Sequence, residues 1–149
     1  MIKRIDNFLS ENIIVNIKKI VEDNLDSTNW KTSMFWQEQI KKSSAVLPLF
    51  NLDNFSEIKE LILDFYKPYL NFKNFKNFHL TYKIASTIYL NKNWDRDHGG
   101  LFMCKNGEDY LAITPKYNHC IINTNDEIHG TTLTTTDAPK RETLQIFFS

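Results

Sequence analysis

The sequence has little that would direct it to a polyanion, a membrane or an oxidising compartment. Its 149 residues carry 18 basic and 18 acidic side chains, so formal net charge is zero. A nonspecific nucleic-acid binder normally shows a basic excess, and that partner is not expected. Cysteine occurs only at Cys104 and Cys120, and a single possible bridge in a domain of this size is a weak secretory signal. No long apolar run opens the chain. MIKRIDNFLSENIIV is broken by Asp6, Asn7, Ser10 and Glu11, which reads as neither a signal peptide nor a membrane span. The four glycines and four prolines form no linker, and no repeat or low-complexity stretch divides the chain. The expectation is one cytoplasmic domain, residues 1–149, that buries about two-thirds of its unfolded surface.

Apolar periodicity supplies the first positive signals. Ser10 can cap a helix in which Ile13, Ile14, Ile17, Ile20 and Val21 form one stripe. The spacing of Ile58, Leu61, Ile62 and Phe65 predicts a second helix from Asp53 to about Lys67, stopped by Pro68. Between them, Trp30, Phe35 and Trp36 precede a short apolar run, Ala45 to Leu49, that reads as a strand. Both helices are expected to cover a sheet and to carry no chemistry.

From Phe78 the period becomes two, with Phe78, Leu80, Tyr82, Ile84, Ile88 and Leu90 on one face and His79, Thr81, Lys83, Thr87 and Tyr89 on the other. Further short strands are expected around Gly100–Cys104, Tyr110–Thr114, His119–Thr124 and Glu142–Phe148, separated by turn signals such as Asn106-Gly107. Two helices followed by many short strands predict an α+β fold. Residues 1–76 form the helical support and residues 77–149 an antiparallel barrel or jelly-roll core.

Near the C-terminal end the chemistry concentrates. His129 follows the apolar residues Cys120, Ile121 and Ile122 and a polar turn, a position from which a strand end can present imidazole to a metal. Imidazole suits ferrous iron as well as zinc, while a lone histidine also fits a surface or core role. Arg141 and Thr143 stand two apart on one strand face, with Leu144, Ile146 and Phe148 on the opposite parity. A guanidinium grips a carboxylate through two parallel hydrogen bonds, and a neighbouring hydroxyl adds a third. A salt-bridged edge-strand arginine is the plainer alternative.

Together with YLN-x-x-WD-x-x-x-GG (Tyr89 to Gly100) and the run Ile113–Gly130, this pattern resembles the Fe(II)/2-oxoglutarate-dependent dioxygenases, especially the prolyl 4-hydroxylase-like group. The resemblance covers about Tyr82 to Phe148. It implies a double-stranded β-helix with the N-terminal helices packed on the sheet. It also implies Fe(II) and the cosubstrate 2-oxoglutarate, with His129 as the distal metal ligand. Arg141 would bind the cosubstrate's distal carboxylate, Thr143 would add its hydroxyl, and Tyr89 would contact the cosubstrate from the neighbouring strand. Trp94, Gly99 and Gly100 would be the group's structural turn. The implied reaction is O2-dependent hydroxylation of a small molecule or a protein side chain.

One part of the pattern is missing. The group carries a His-x-Asp before the YLN strand, and neither His-x-Asp nor His-x-Glu occurs here. The nearest stretch is His79-Leu80-Thr81. If Phe78 to Leu90 is one strand, His79 and Tyr89 lie roughly 33 Å apart at about 3.3 Å per residue, too far to share a site. The expectation is that two strands normally separated by the His-x-Asp loop are joined directly near Tyr82-Lys83. Some halogenating members of the family lack the carboxylate, and Thr81 could imitate them only if His79 reached the iron. Asp95, Asp97 and His98 read as a surface turn and His119 as structural or exposed. Three functions therefore stay open: an oxygenase with an incomplete iron-ligand set, a non-catalytic domain binding a carboxylate ligand or protein partner, and a shortened remnant of the fold.

Overall fold

The computed structural model describes residues 2–23, 56–69, 84–124 and 127–148. The expected strand at Ala45–Leu49, the aromatic residues Trp30, Phe35 and Trp36, and the His79-Leu80-Thr81 stretch lie outside them. The described residues form two compact units, one helical, from Leu9 to Tyr69, and one β, holding the residues up to Phe8 and those from Ile84 onward.

In the helical unit, α1 spans Glu11–Asp23. The Ser10 carbonyl accepts from the amides of Ile13 and Ile14 at its start. Ile13, Ile14 and Ile17 are buried and Val15 is exposed, as a single apolar stripe requires. The second helix, α2, spans Ser56–Tyr66; its expected start at Asp53 lies outside the described residues. Its buried pair is Ile62 and Tyr66, one turn apart, whereas Leu61, expected inward, is about half exposed. No helix of the described residues is long and apolar enough to cross a membrane.

The β unit contains two antiparallel sheets among the described residues. One has four strands in the order β1 (Ile2–Ile5), β5 (Cys120–Thr124), β2 (Ile84–Tyr89), β7 (Thr143–Phe148). The other has three in the order β4 (Asp109–Ile113), β3 (Phe102–Asn106), β6 (His129–Thr131). β3 and β4 form a hairpin whose tight turn places Gly107 at φ 66°, a conformation glycine adopts without steric cost.

A core cluster joins the sheets: Tyr89 and Ile121 from the four-stranded sheet, Phe102, Cys104 and Ile113 from the three-stranded one, with Ile2 packed against them. The central strands are buried on both faces, since Ile88, Cys120 and Ile122 are as inaccessible as Tyr89 and Ile121. β1 went unread in the sequence because only Ile2 and Ile5 mark it; it adds to the sheet edge by pairing Ile2 with Asn123 and Ile5 with Cys120.

Candidate functional site

Tyr89 ends β2 and stands directly opposite Thr143, the first residue of β7. Directly opposed residues in an antiparallel pair present their side chains to one face. Arg141, two residues before Thr143, lays its guanidinium over the Tyr89 ring, 5.4 Å from the ring centroid. The three residues that the sequence associates with a carboxylate are thus brought to one corner.

That corner is unsatisfied. The Tyr89 hydroxyl and Arg141 Nε are both buried and make no hydrogen bond among the described residues. The guanidinium is close enough for its charge and a loose hydrogen-bond contact to act on the phenol, short of a well-formed hydrogen bond. Burial pushes the Tyr89 phenol up from its ordinary range, and the positive Arg141 pulls it partly back. The phenol therefore stays protonated and available as a donor. Two buried donors side by side are costly unless an acceptor meets them, and a carboxylate supplies acceptor oxygens for both.

A turn built by two glycines supports this corner. Gly99 and Gly100 have φ of 70° and 63°, a region costly for residues with a Cβ. A Cβ on Gly99 would lie 2.4 Å from the Leu133 carbonyl oxygen. At Gly100 it would lie 3.1 Å from the Trp94 ring and 3.7 Å from Arg141 Cδ. Trp94 Nε1 donates to the Gly99 carbonyl at 3.1 Å, so Trp94 and the glycine pair form the scaffold expected of them. Asp95 and His98 make a reciprocal cap, Asp97 N donating to Asp95 Oδ1 and Asp95 N to His98 Nδ1. An open depression of about 590 Å³ is lined by Asn93, Trp94, Asp95, Asp97, His98 and Asp137. None of Tyr89, His129, Arg141 or Thr143 lines it, and it has no part in the carboxylate corner.

His129 opens β6 in the three-stranded sheet, where the sequence places it at the end of a strand. The difference arises because β6 pairs back to β3, Cys104 opposite His129 and Phe102 opposite Thr131, a partner the local sequence does not reveal. The imidazole is exposed and stacks on the Phe102 ring, 5.5 Å between centroids and 21° between planes. Phe102 belongs to the same core cluster as Tyr89, so one aromatic side chain links the two halves of the candidate site.

Two contacts at His129 Nδ1 suit different tautomers, a donor on one side and an acceptor on the other. Its Nδ1 lies 2.8 Å from the Glu127 carbonyl oxygen and 2.8 Å from Asn123 Nδ2, which itself donates to that oxygen at 2.9 Å. With the proton on Nδ1, the carbonyl accepts from both nitrogens. With Nδ1 bare, it accepts from Asn123 Nδ2 and the proton sits on Nε2. The first arrangement leaves Nε2 with the free lone pair that a metal needs.

Iron would need further ligands. Among the described residues no group of three or more His, Cys, Asp or Glu could hold a metal ion. Burial pushes the Cys104 thiol up, and the Glu127 carboxylate adds to the effect. His119 has a structural role: it is buried, with Nε2 2.8 Å from Asp6 Oδ1.

Comparison with known proteins yields structural matches alone. No protein-family profile and no curated protein sequence matches the chain. A prolyl-4-hydroxylase from Pseudomonas putida superposes with a TM-score of 0.61 at 12% identity, over 99% of this chain and 91% of that one. A prolyl hydroxylase from Trichoplax adhaerens, solved with a hypoxia inducible factor peptide fragment, gives 0.59 at 12% identity, over 99% and 82%. An oxidoreductase of the 2OG-Fe(II) oxygenase family from Burkholderia pseudomallei is 23% identical over 46% of this chain, but only 31% of its own length is spanned and its TM-score is 0.39, too low to indicate a shared fold. The chain has the fold of the prolyl hydroxylases.

Proposed function

We propose that this chain is a 2-oxoglutarate-dependent oxygenase of the hydroxylase type, built on a double-stranded β-helix, whose cosubstrate carboxylate is held by Arg141 with Tyr89 and Thr143. The observation that carries the reading is the pair of buried, unpaired donors, Tyr89 Oη and Arg141 Nε, beside one another. Arg141 binds the distal carboxylate through its guanidinium fork, the protonated Tyr89 hydroxyl donates to the same group, and Thr143 adds a third contact. Phe102 and Ile121 pack with Tyr89 in one buried core cluster.

Fe(II) and 2-oxoglutarate, when bound, supply O2-dependent hydroxylation of a C–H bond in a small molecule or protein side chain. His129 would give the iron one ligand through Nε2. The described residues do not complete an iron site. Cys104 and Cys120 are buried without a disulfide between them, which suits the reducing conditions of a cytoplasmic protein.

Calorimetric titration with 2-oxoglutarate tests the pocket, and the same titration with Fe(II) under anaerobic conditions tests the metal. Arg141→Ala should weaken 2-oxoglutarate binding about a hundredfold, the loss of one charge-assisted, paired contact. A visible charge-transfer band on adding Fe(II), followed by succinate formation with a candidate substrate, supports the oxygenase. Binding that depends on Arg141 without either signal supports instead a non-catalytic carboxylate-binding domain, because that pocket does not depend on the metal. Wild-type protein that ignores 2-oxoglutarate sinks both readings.

A further inference from the structure

Arg141 lies just beyond the regular ladder between β2 and β7, which ends at the pair Tyr89 and Thr143. Past that pair, the backbone carrying the guanidinium is held by other bonds. Leu90 N donates to the Glu142 carbonyl at 3.0 Å. Asn91 contributes the rest through its side chain. Its Nδ2 donates to the Lys140 carbonyl at 2.8 Å, and its Oδ1 accepts from Glu142 N at 2.7 Å. One carboxamide therefore bonds the residue before Arg141 and the residue after it.

Side-chain chemistry makes this role specific to asparagine. The group must donate on one side and accept on the other at a fixed short reach. Aspartate only accepts, and would set its second oxygen against the Lys140 carbonyl. Alanine supplies neither bond, and glutamine carries the amide one methylene too far. Two residues earlier, Tyr89 is fixed from the opposite side: its N–H donates to the His119 carbonyl at 3.0 Å, and its carbonyl accepts from Asn118 N at 2.8 Å. The three residues Tyr89 to Asn91 thus hold the phenol with one set of bonds and the arginine backbone with another.

We propose that Asn91 is the positioning residue of the carboxylate anchor, fixing the backbone on both sides of Arg141 and so setting where the guanidinium meets the Tyr89 hydroxyl. The proposal rests on the carboxylate-pocket reading, but its geometric part can be tested without any ligand. Two-point gripping of a carboxylate tolerates little displacement, so loss of the clamp reaches binding through Arg141 alone.

The experiment combines an NMR signal with a titration. The Arg141 Nε–H resonance, assigned by its loss in Arg141→Lys, is buried and should exchange slowly with water in the wild-type protein. Asn91→Ala and Asn91→Asp should broaden or abolish it while core methyl signals such as those of Ile88 and Ile121 stay in place. Both variants should weaken 2-oxoglutarate binding about tenfold, the scale of lost hydrogen bonds. In an Arg141→Ala background, Asn91→Ala should change the residual affinity no further. Asn91 variants that keep the resonance and wild-type affinity overturn the proposal and leave the pocket standing. Loss of the resonance in protein that never binds 2-oxoglutarate supports the clamp and overturns the pocket. Wild-type hydrogen exchange decides the matter if the variants do not fold: protection of the Glu142 amide supports the clamp, and exchange at free-peptide rates overturns it.

Discussion

The two halves of the candidate site are built differently. The Arg141 corner lies against the sheet interior: Tyr89 is 2% exposed, Gly99 and Gly100 take conformations that side chains rarely adopt, and Asn91 ties the chain down on both sides of the arginine. His129 lies on a three-residue strand at a sheet edge, exposed, held by two polar contacts and one aromatic stack. The contrast teaches where order is supplied. A carboxylate anchor needs its donors fixed before the ligand arrives, because charge-assisted paired bonds demand geometry. A metal ligand can be held by a light hydrogen-bond frame, since the metal itself completes the order when other ligands join.

The glycines beside each half offer the harshest test of this contrast. Gly99→Ala places a Cβ 2.4 Å from the Leu133 oxygen at φ 70° and should cost about 3 kcal/mol or more in a urea-denaturation measurement. A cost near zero would show the turn to be pliable and the corner less rigid than described. Next, Tyr89→Phe should leave the unliganded protein as stable as wild type, or up to about 1 kcal/mol more stable, by removing an unpaired buried hydroxyl. The same variant should weaken 2-oxoglutarate binding several-fold. A clear loss of stability would mean that the hydroxyl already has a partner.

A third test concerns the N-terminal strand's anchorage. Burial holds the His119 imidazole below its ordinary value, while Asp6 opposes the shift and Arg4 and Lys116 add to it. The unfolded state then binds more protons than the folded one, so this group's contribution is present above 6.5 and is lost as pH falls below it. His119→Gln should flatten that part of the Tm-against-pH curve between about pH 7 and 5; an unchanged curve refutes the assignment. The smallest effect is expected at Gly130→Ala beside His129, where an added Cβ meets nothing within 4 Å. Stability should stay within about 0.5 kcal/mol of wild type, in direct contrast to Gly99.

Much of this molecule could be read from local pattern. The apolar stripe of α1, the period-two strands, the Asn106-Gly107 turn and the shared face of Arg141 and Thr143 depend on neighbours in sequence, and the periodicities expose them. What could not be read depends on distant partners. Asn91 looks like an ordinary turn asparagine until Lys140 and Glu142 come beside it. β1 shows only two isoleucines, and its pairing with β5 is what makes it a strand. His129 appears to end a strand because its true partner, β3, lies earlier in the chain. Leu61 fits the apolar stripe by spacing, yet Tyr66 takes the buried place and Leu61 faces out.

The remote pairings of the four-stranded sheet also bear on how the protein reaches its native state. Ile2 meets Asn123, and Ile84 meets Phe148, so the central strands are stabilised only after large loops close, an entropic toll that slows folding to roughly milliseconds or seconds. Tyr89 and Arg141 belong to strand and loop segments joined by the same late event. A half-assembled chain therefore has no anchor to offer. Ligand capture and closure of the sheet should disappear together in a single denaturation transition, making the cosubstrate a reporter of completed folding.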